Sequence, residues 1–175
     1  TIPILGNIYY TNCDLTITAY NNVYANSAFS IYISGSRFKL TVPLSLDSAG
    51  TSGSIYLYID SSVIEAADDG QSITWTQNFA SPVSVTNSYL RNIQFSSSGS
   101  FFANNTIISN GVSQGLLINT AANSDFTLLN TIVNGSEGAL APLSNGQLGS
   151  VILKTVSWTR NAPLIAFGGS SQITA

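Results

Sequence analysis

At 175 residues the chain has room for one domain with its own core. Five Lys and Arg stand against eight Asp and Glu, with no His and a net charge of −3. A basic nucleic-acid surface and every His-dependent catalytic arrangement are thereby excluded, and no apolar run approaches the ~18–20 residues of a membrane span.

Taken in chain order, one short phrase recurs seven times: apolar, any, apolar, any, small polar, then an apolar residue three positions on. The first is Ile8, Tyr10, Asn12 and Leu15, and the second Ile31, Ile33, Gly35 and Phe38. The third is Leu57, Ile59, Ser61 and Ile64; the fourth is Val83, Val85, Asn87 and Leu90. Phe101, Ala103, Asn105 and Ile108 form the fifth, and Phe126, Leu128, Asn130 and Val133 the sixth. The seventh is Val151, Leu153, Thr155 and Trp158. The small polar anchors Asn12, Gly35, Ser61, Asn87, Asn105, Asn130 and Thr155 are spaced 23, 26, 26, 18, 25 and 25 residues apart. Second apolar clusters follow at Leu40, Val42 and Leu44; Ile73 and Trp75; Leu116 and Ile118; Leu140 and Leu143; and Leu164, Ile165 and Phe167. Loops are expected at 47–54, 67–72, 96–100 and 144–150.

Apolar residues two apart share one face of a strand, and no stretch has a helical period. The anchor is expected on the inward face, at a bend that Asn, Ser, Thr or Gly accommodates, with a new strand after it. Stacked anchors are expected to form a hydrogen-bonded ladder. A period near 25 residues with two or three short strands predicts one stacked supersecondary unit, a parallel β-solenoid of about seven coils ~4.8 Å apart. Residues 1–7 read as a lead-in, 8–167 as coils and 168–175 as a tail, all within one all-β domain.

The segments Val85–Asn92, Ala103–Gly111 and Leu128–Gly135 resemble right-handed parallel β-helix repeats of the pectate-lyase-like superfamily. That resemblance implies fold far more than function, because this fold carries enzymes, adhesins and inert structural pieces. A competing fold is an antiparallel, jelly-roll-like sandwich of a pilus subunit. It would make hairpins of 29–42 and 54–64 and use Thr1 to Tyr10 as a donor strand.

Catalytic members of such a fold need carboxylates and basic groups gathered on one outer face. Here the outward column one before the anchor reads Thr11, Ser34, Asp60, Thr86, Asn104, Leu129 and Lys154. Asp60 is expected four coils, roughly 19 Å, from Lys154, so no acid–base pair assembles there. The acidic group Asp60, Glu65, Asp68 and Asp69 reads as a solvated turn rather than a metal site, and no cofactor is expected. Cys13 reads as a small filler one step off the inward face.

The outward column three before the anchor is aromatic, with Tyr9, Tyr32, Tyr58 and, further on, Phe102. Such a row suits stabilising the stacked strands themselves, packing against another subunit, or packing against sugar rings. Two sequons, at Asn104 and Asn134, are candidate glycosylation sites. Few charges and polar faces of Ser, Thr, Asn and Tyr suit an exported chain, and a first residue, Thr1, other than Met reads as either a removed leader or a fragment. No amphipathic helix is read over either terminal coil, so strand edges are left for a neighbour. The expected function is a non-enzymatic, extracellular or cell-surface filament subunit whose partners are copies of itself. An adhesin or spike fragment that binds glycans through the aromatic row is the alternative, and a polysaccharide lyase or hydrolase is a weaker one.

Overall fold

A computed structural model of the chain describes residues 6–18, 22–24, 28–42, 44–47, 55–67, 73–77, 82–97, 99–110, 118–119, 125–135, 151–159 and 173–174. The strands follow one another around the coil. β1 (Ile8–Thr11), β2 (Asp14–Ile17) and β3 (Asn22–Tyr24) come first, then β4 (Phe29–Ser34), β5 (Arg37–Leu40) and β6 (Leu44–Asp47). β7 (Ile55–Asp60), β8 (Val63–Ala66) and β9 (Ile73–Gln77) precede β10 (Val83–Thr86), β11 (Tyr89–Arg91) and β12 (Ile93–Ser97). β13 (Phe101–Asn104), β14 (Ile107–Asn110) and β15 (Ile118–Asn119) are next. β16 (Phe126–Leu129), β17 (Ile132–Gly135), β18 (Val151–Lys154), β19 (Ser157–Thr159) and β20 (Ile173–Thr174) complete the order.

These strands stack into three parallel sheets. The first has eight strands in the order β1-β4-β7-β10-β13-β16-β18-β20. The second has seven, β19-β17-β14-β11-β8-β5-β2, and the third five, β15-β12-β9-β6-β3. Each strand lies beside its equivalent one repeat later, which makes the molecule a parallel β-solenoid. The register runs Ile8–Ile31–Leu57–Val83–Phe101–Phe126–Val151, the column predicted from the repeat.

The repeat sorts its residues by side. Strands of the first sheet alternate buried and half-exposed positions, as in β10 and β13. Inward Ile31, Ile33, Leu57, Ile59, Val83, Val85, Phe101, Phe126 and Leu128 meet Phe38, Ile64, Leu90, Ile108 and Val133 of the second sheet in one apolar core. Fully burying a Val, Leu, Ile or Phe side chain stabilises by about 1.5–3 kcal/mol, so the two apolar faces hold the coil closed.

Four expectations change. The antiparallel sandwich is overturned, since every described pairing is parallel and β4 and β5 belong to different sheets. The donor-strand role for Thr1 to Tyr10 goes with it, because Ile8–Thr11 pairs with β4 of its own chain. Seven complete coils are not formed among the described residues, because the third sheet has five strands. The stretch read as a tail contains β20, which pairs with β18 and extends the first sheet.

The short spacing from Asn87 to Asn105 has a local cause. β11 and β12 are separated by a single residue, Asn92, which has φ 54° and is buried. One left-handed residue turns the chain there, and the strand it opens runs through Ser96 and Ser97, where a loop was expected.

Candidate functional site

All seven anchors have positive φ: Asn12 at 53°, Gly35 at 59°, Ser61 at 49°, Asn87 at 50°, Asn105 at 49°, Asn130 at 46° and Thr155 at 54°. Each sits between a strand of the first sheet and one of the second, and each is exposed. The expected inward orientation is therefore corrected. Plain alternation puts residues −4 and −2 inside, but the left-handed residue adds a half-step. Residues −1 and 0 both point out, and the chain re-enters the core at +1 and +3. At Gly35 an added Cβ would lie 2.5 Å from Asn12 Oδ1, on a backbone that L side chains rarely adopt.

The inward ladder belongs to the next residue, and sequence reasoning missed it. Ser36, Ser62, Ser88, Thr106 and Thr131 are all buried. Each hydroxyl donates to the carbonyl two residues back, at 2.9, 2.7, 2.6, 3.0 and 2.8 Å respectively. Three of them also accept an N–H from the coil before: Cys13 to Ser36 at 3.1 Å, Ser36 to Ser62 at 3.0 Å and Ser62 to Ser88 at 3.0 Å. Cys13 holds the same position in the first coil, half-buried, with its thiol donating to the Thr11 carbonyl at 3.3 Å. It is thus in the inward column, not one step off it.

Outside, part of the expected ladder of anchors exists. Asn105 Nδ2 donates to Asn87 Oδ1 at 3.2 Å, and Asn87 Nδ2 donates to Asp60 Oδ1 at 2.9 Å. Asp60 also accepts from Thr86 Oγ1 and from Ser61 Oγ at 3.0 Å. The Thr86 hydroxyl above all, then the Asn87 amide, holds the Asp60 carboxyl below the usual aspartate range, against a smaller opposing effect of burial. A carboxylate with a depressed folded pKa adds stability above its unfolded pKa and loses it as pH falls through the folded value. The thermal midpoint should therefore drop as pH falls below about 4. Asp60→Asn should flatten that drop, which a melting series from pH 6 to 2 will show.

The remaining acidic candidates do not join Asp60. Glu65 lies on the second sheet, buried, with Oε1 accepting from Arg37 Nε at 3.0 Å and Nη2 at 2.6 Å. Asp68 and Asp69 lie outside the described residues. Among the described residues no three His, Cys, Asp or Glu side chains gather where they could hold a metal ion. Lys154 shares its register column with Asp60, with Thr86, Asn104 and Leu129 between them.

The aromatic row forms as expected over three coils. Tyr9 stacks on Tyr32 and Tyr32 on Tyr58, each pair with ring centroids 4.9 Å apart and planes inclined by 6° and 9°. The spacing equals that of adjacent strands, so the sheet itself sets the stack. Phe102 is in the same column but outside the stack, because Ser84 stands between it and Tyr58. A shallow groove of about 310 Å³ follows the corner, between the anchors Ser61, Asn87 and Asn105 and the outward Val63, Tyr89 and Ile107. Of the two sequon residues, Asn104 is half-buried on β13 and Asn134 is exposed on β17. No helix among the described residues is long and apolar enough to cross a membrane. Comparison with protein-family models, with curated proteins and with solved structures finds no match to this chain.

Proposed function

We propose that this chain is an exported, non-enzymatic structural protein that assembles with copies of itself into an extracellular or cell-surface filament. In this reading it is a non-catalytic relative of the right-handed, pectate-lyase-like β-helices. The observation that carries the proposal is the end of the tyrosine stack. Tyr9 lies on β1, the outermost strand of the eight-stranded sheet, and is 65% exposed. One face of its ring rests on Tyr32. Its other face and the outer edge of β1 meet no described strand, so a further coil would extend the sheet and the stack together.

The same geometry gives less support to a carbohydrate platform. Sugars pack on ring faces, and both faces of Tyr32 are occupied by other tyrosines. The low charge favours contact between copies, since little like-charge repulsion opposes it.

Assembly is tested by light scattering and negative-stain imaging at high protein concentration. The wild type should form fibres. Tyr9→Asp should abolish them while leaving the circular dichroism spectrum unchanged, because Tyr9 is outside the core. A wild-type chain that stays monomeric and shows no fibres overturns the proposal.

A further inference from the structure

The outer face of the second sheet carries an apolar stripe that the filament reading does not use. In register, Val63 lies beside Tyr89, Tyr89 beside Ile107, and Ile107 beside Ile132. Ile107 and Ile132 are 40% and 41% exposed, among the most exposed large apolar side chains described. Two residues beyond Ile132 on β17, and pointing to the same side, is the exposed Asn134. Two strand steps separate them by about 7 Å.

Asn134 opens the sequence Asn134-Gly135-Ser136, an acceptor for N-linked sugar. Its carboxamide makes no hydrogen bond to another described residue. The other sequon is built into the coil. Asn104 Oδ1 accepts from Asn130 Nδ2 at 3.2 Å. Thr106 is 1% exposed, and its hydroxyl lies 3.0 Å from the Asn104 carbonyl and 3.3 Å from that of Val85. Asn104 is thus half-buried, tied to the ladder through its oxygen and followed by a buried Thr106 hydroxyl, whereas Asn134 is exposed and a sugar on it displaces nothing described.

We propose that Asn134 carries an N-linked oligosaccharide whose first sugars lie over Ile132 and Ile107 and cover the stripe. Transfer joins Asn134 Nδ2 to the anomeric carbon of a lipid-diphosphate-linked oligosaccharide. The bond from that carbon to the diphosphate oxygen breaks, the lipid diphosphate leaves, and the amide nitrogen gives up one proton. A pyranose ring has an apolar face of C–H groups that suits isoleucine, and its hydroxyls reach the polar flank, where Ser109 is the register neighbour of Asn134. The sugar would cover only the second sheet, leaving Tyr9 and the first sheet open.

Glycopeptide mapping of the protein from its own source tests the attachment. The peptide holding Asn134 should carry the added sugar mass, and the peptide holding Asn104 should not. Enzymatic removal of the sugar should raise the fluorescence of a dye that binds apolar surface. Ile107→Ser with Ile132→Ser should cancel that rise while the sugar mass persists. Bare Asn134 overturns the proposal, and so does dye binding that does not change when the sugar is removed.

Discussion

Phe101→Ala should shift the denaturant midpoint of the chain far below that of the wild type, by about 3–5 kcal/mol of stability. Phe101 is 1% exposed on β13, near the middle of the first sheet. Its ring stacks on that of Phe126 in the next coil at 5.7 Å and 15°. Removing it deletes buried area and leaves a void that the flanking backbone cannot close, because both neighbouring strands are held in register by the sheet. A solenoid is stabilised mainly by contacts between adjacent coils, so a void at one coil weakens the coupling between the two ends. Phe102→Ala is the control, since Phe102 is half-exposed on the outer side of the same strand. Unfolding followed by far-ultraviolet circular dichroism should separate the two variants clearly. Equal midpoints would mean that Phe101 does not lie in the core.

Ser62→Ala should cost about 1–3 kcal/mol, a large effect for the loss of one oxygen. The Ser62 hydroxyl accepts the Ser36 N–H at 3.0 Å and donates to the Asp60 carbonyl at 2.7 Å. Alanine leaves that N–H without its partner inside the core, where water is excluded. Ser62→Thr keeps a hydroxyl oxygen within reach of the Ser36 N–H and should recover most of the loss. Hydrogen exchange provides a local check, because the Ser36 amide should exchange faster in Ser62→Ala and not in Ser62→Thr.

Much of the first two sheets was legible because it rests on alternation, the simplest property of a strand. Ile31 and Ile33, or Val83 and Val85, needed only the two-residue period to be placed inside. The bends were legible because Asn, Ser, Thr and Gly at a fixed spacing mark them. Their orientation was not. Alternation carries no information about a left-handed residue, and that residue shifts everything after it by half a step. The hydroxyl ladder was present in the sequence as the column Cys13, Ser36, Ser62, Ser88, Thr106, Thr131 and Val156, small or β-branched throughout. It could have been found by asking which residue follows each anchor.

The rest depended on contacts that no single segment records. Arg37 and Glu65 are 28 residues apart, and only the coil-to-coil register brings the guanidinium to the carboxylate. β3 and β12 escaped notice because their lengths and connections vary from coil to coil, unlike those of the anchored corner. The tyrosine stack was readable as a column, yet its consequence for sugar binding needed ring orientation, which sequence does not give.

The corner of left-handed residues has a consequence for how the coil can change. The N–H of each anchor from Asn12 to Asn130 bonds the carbonyl just before the next anchor, at 2.9–3.1 Å, and this holds across the coil with 18 residues as it does across those with 26. Circumference and axial rise are thus uncoupled. The corner acts as a keel that keeps count of the coils, while the path back to it is free to lengthen or shrink. Insertions between the second and third sheets, or between the third and first, leave the axial repeat unaltered. A chain of this kind can acquire new surface at those two corners without renegotiating its core.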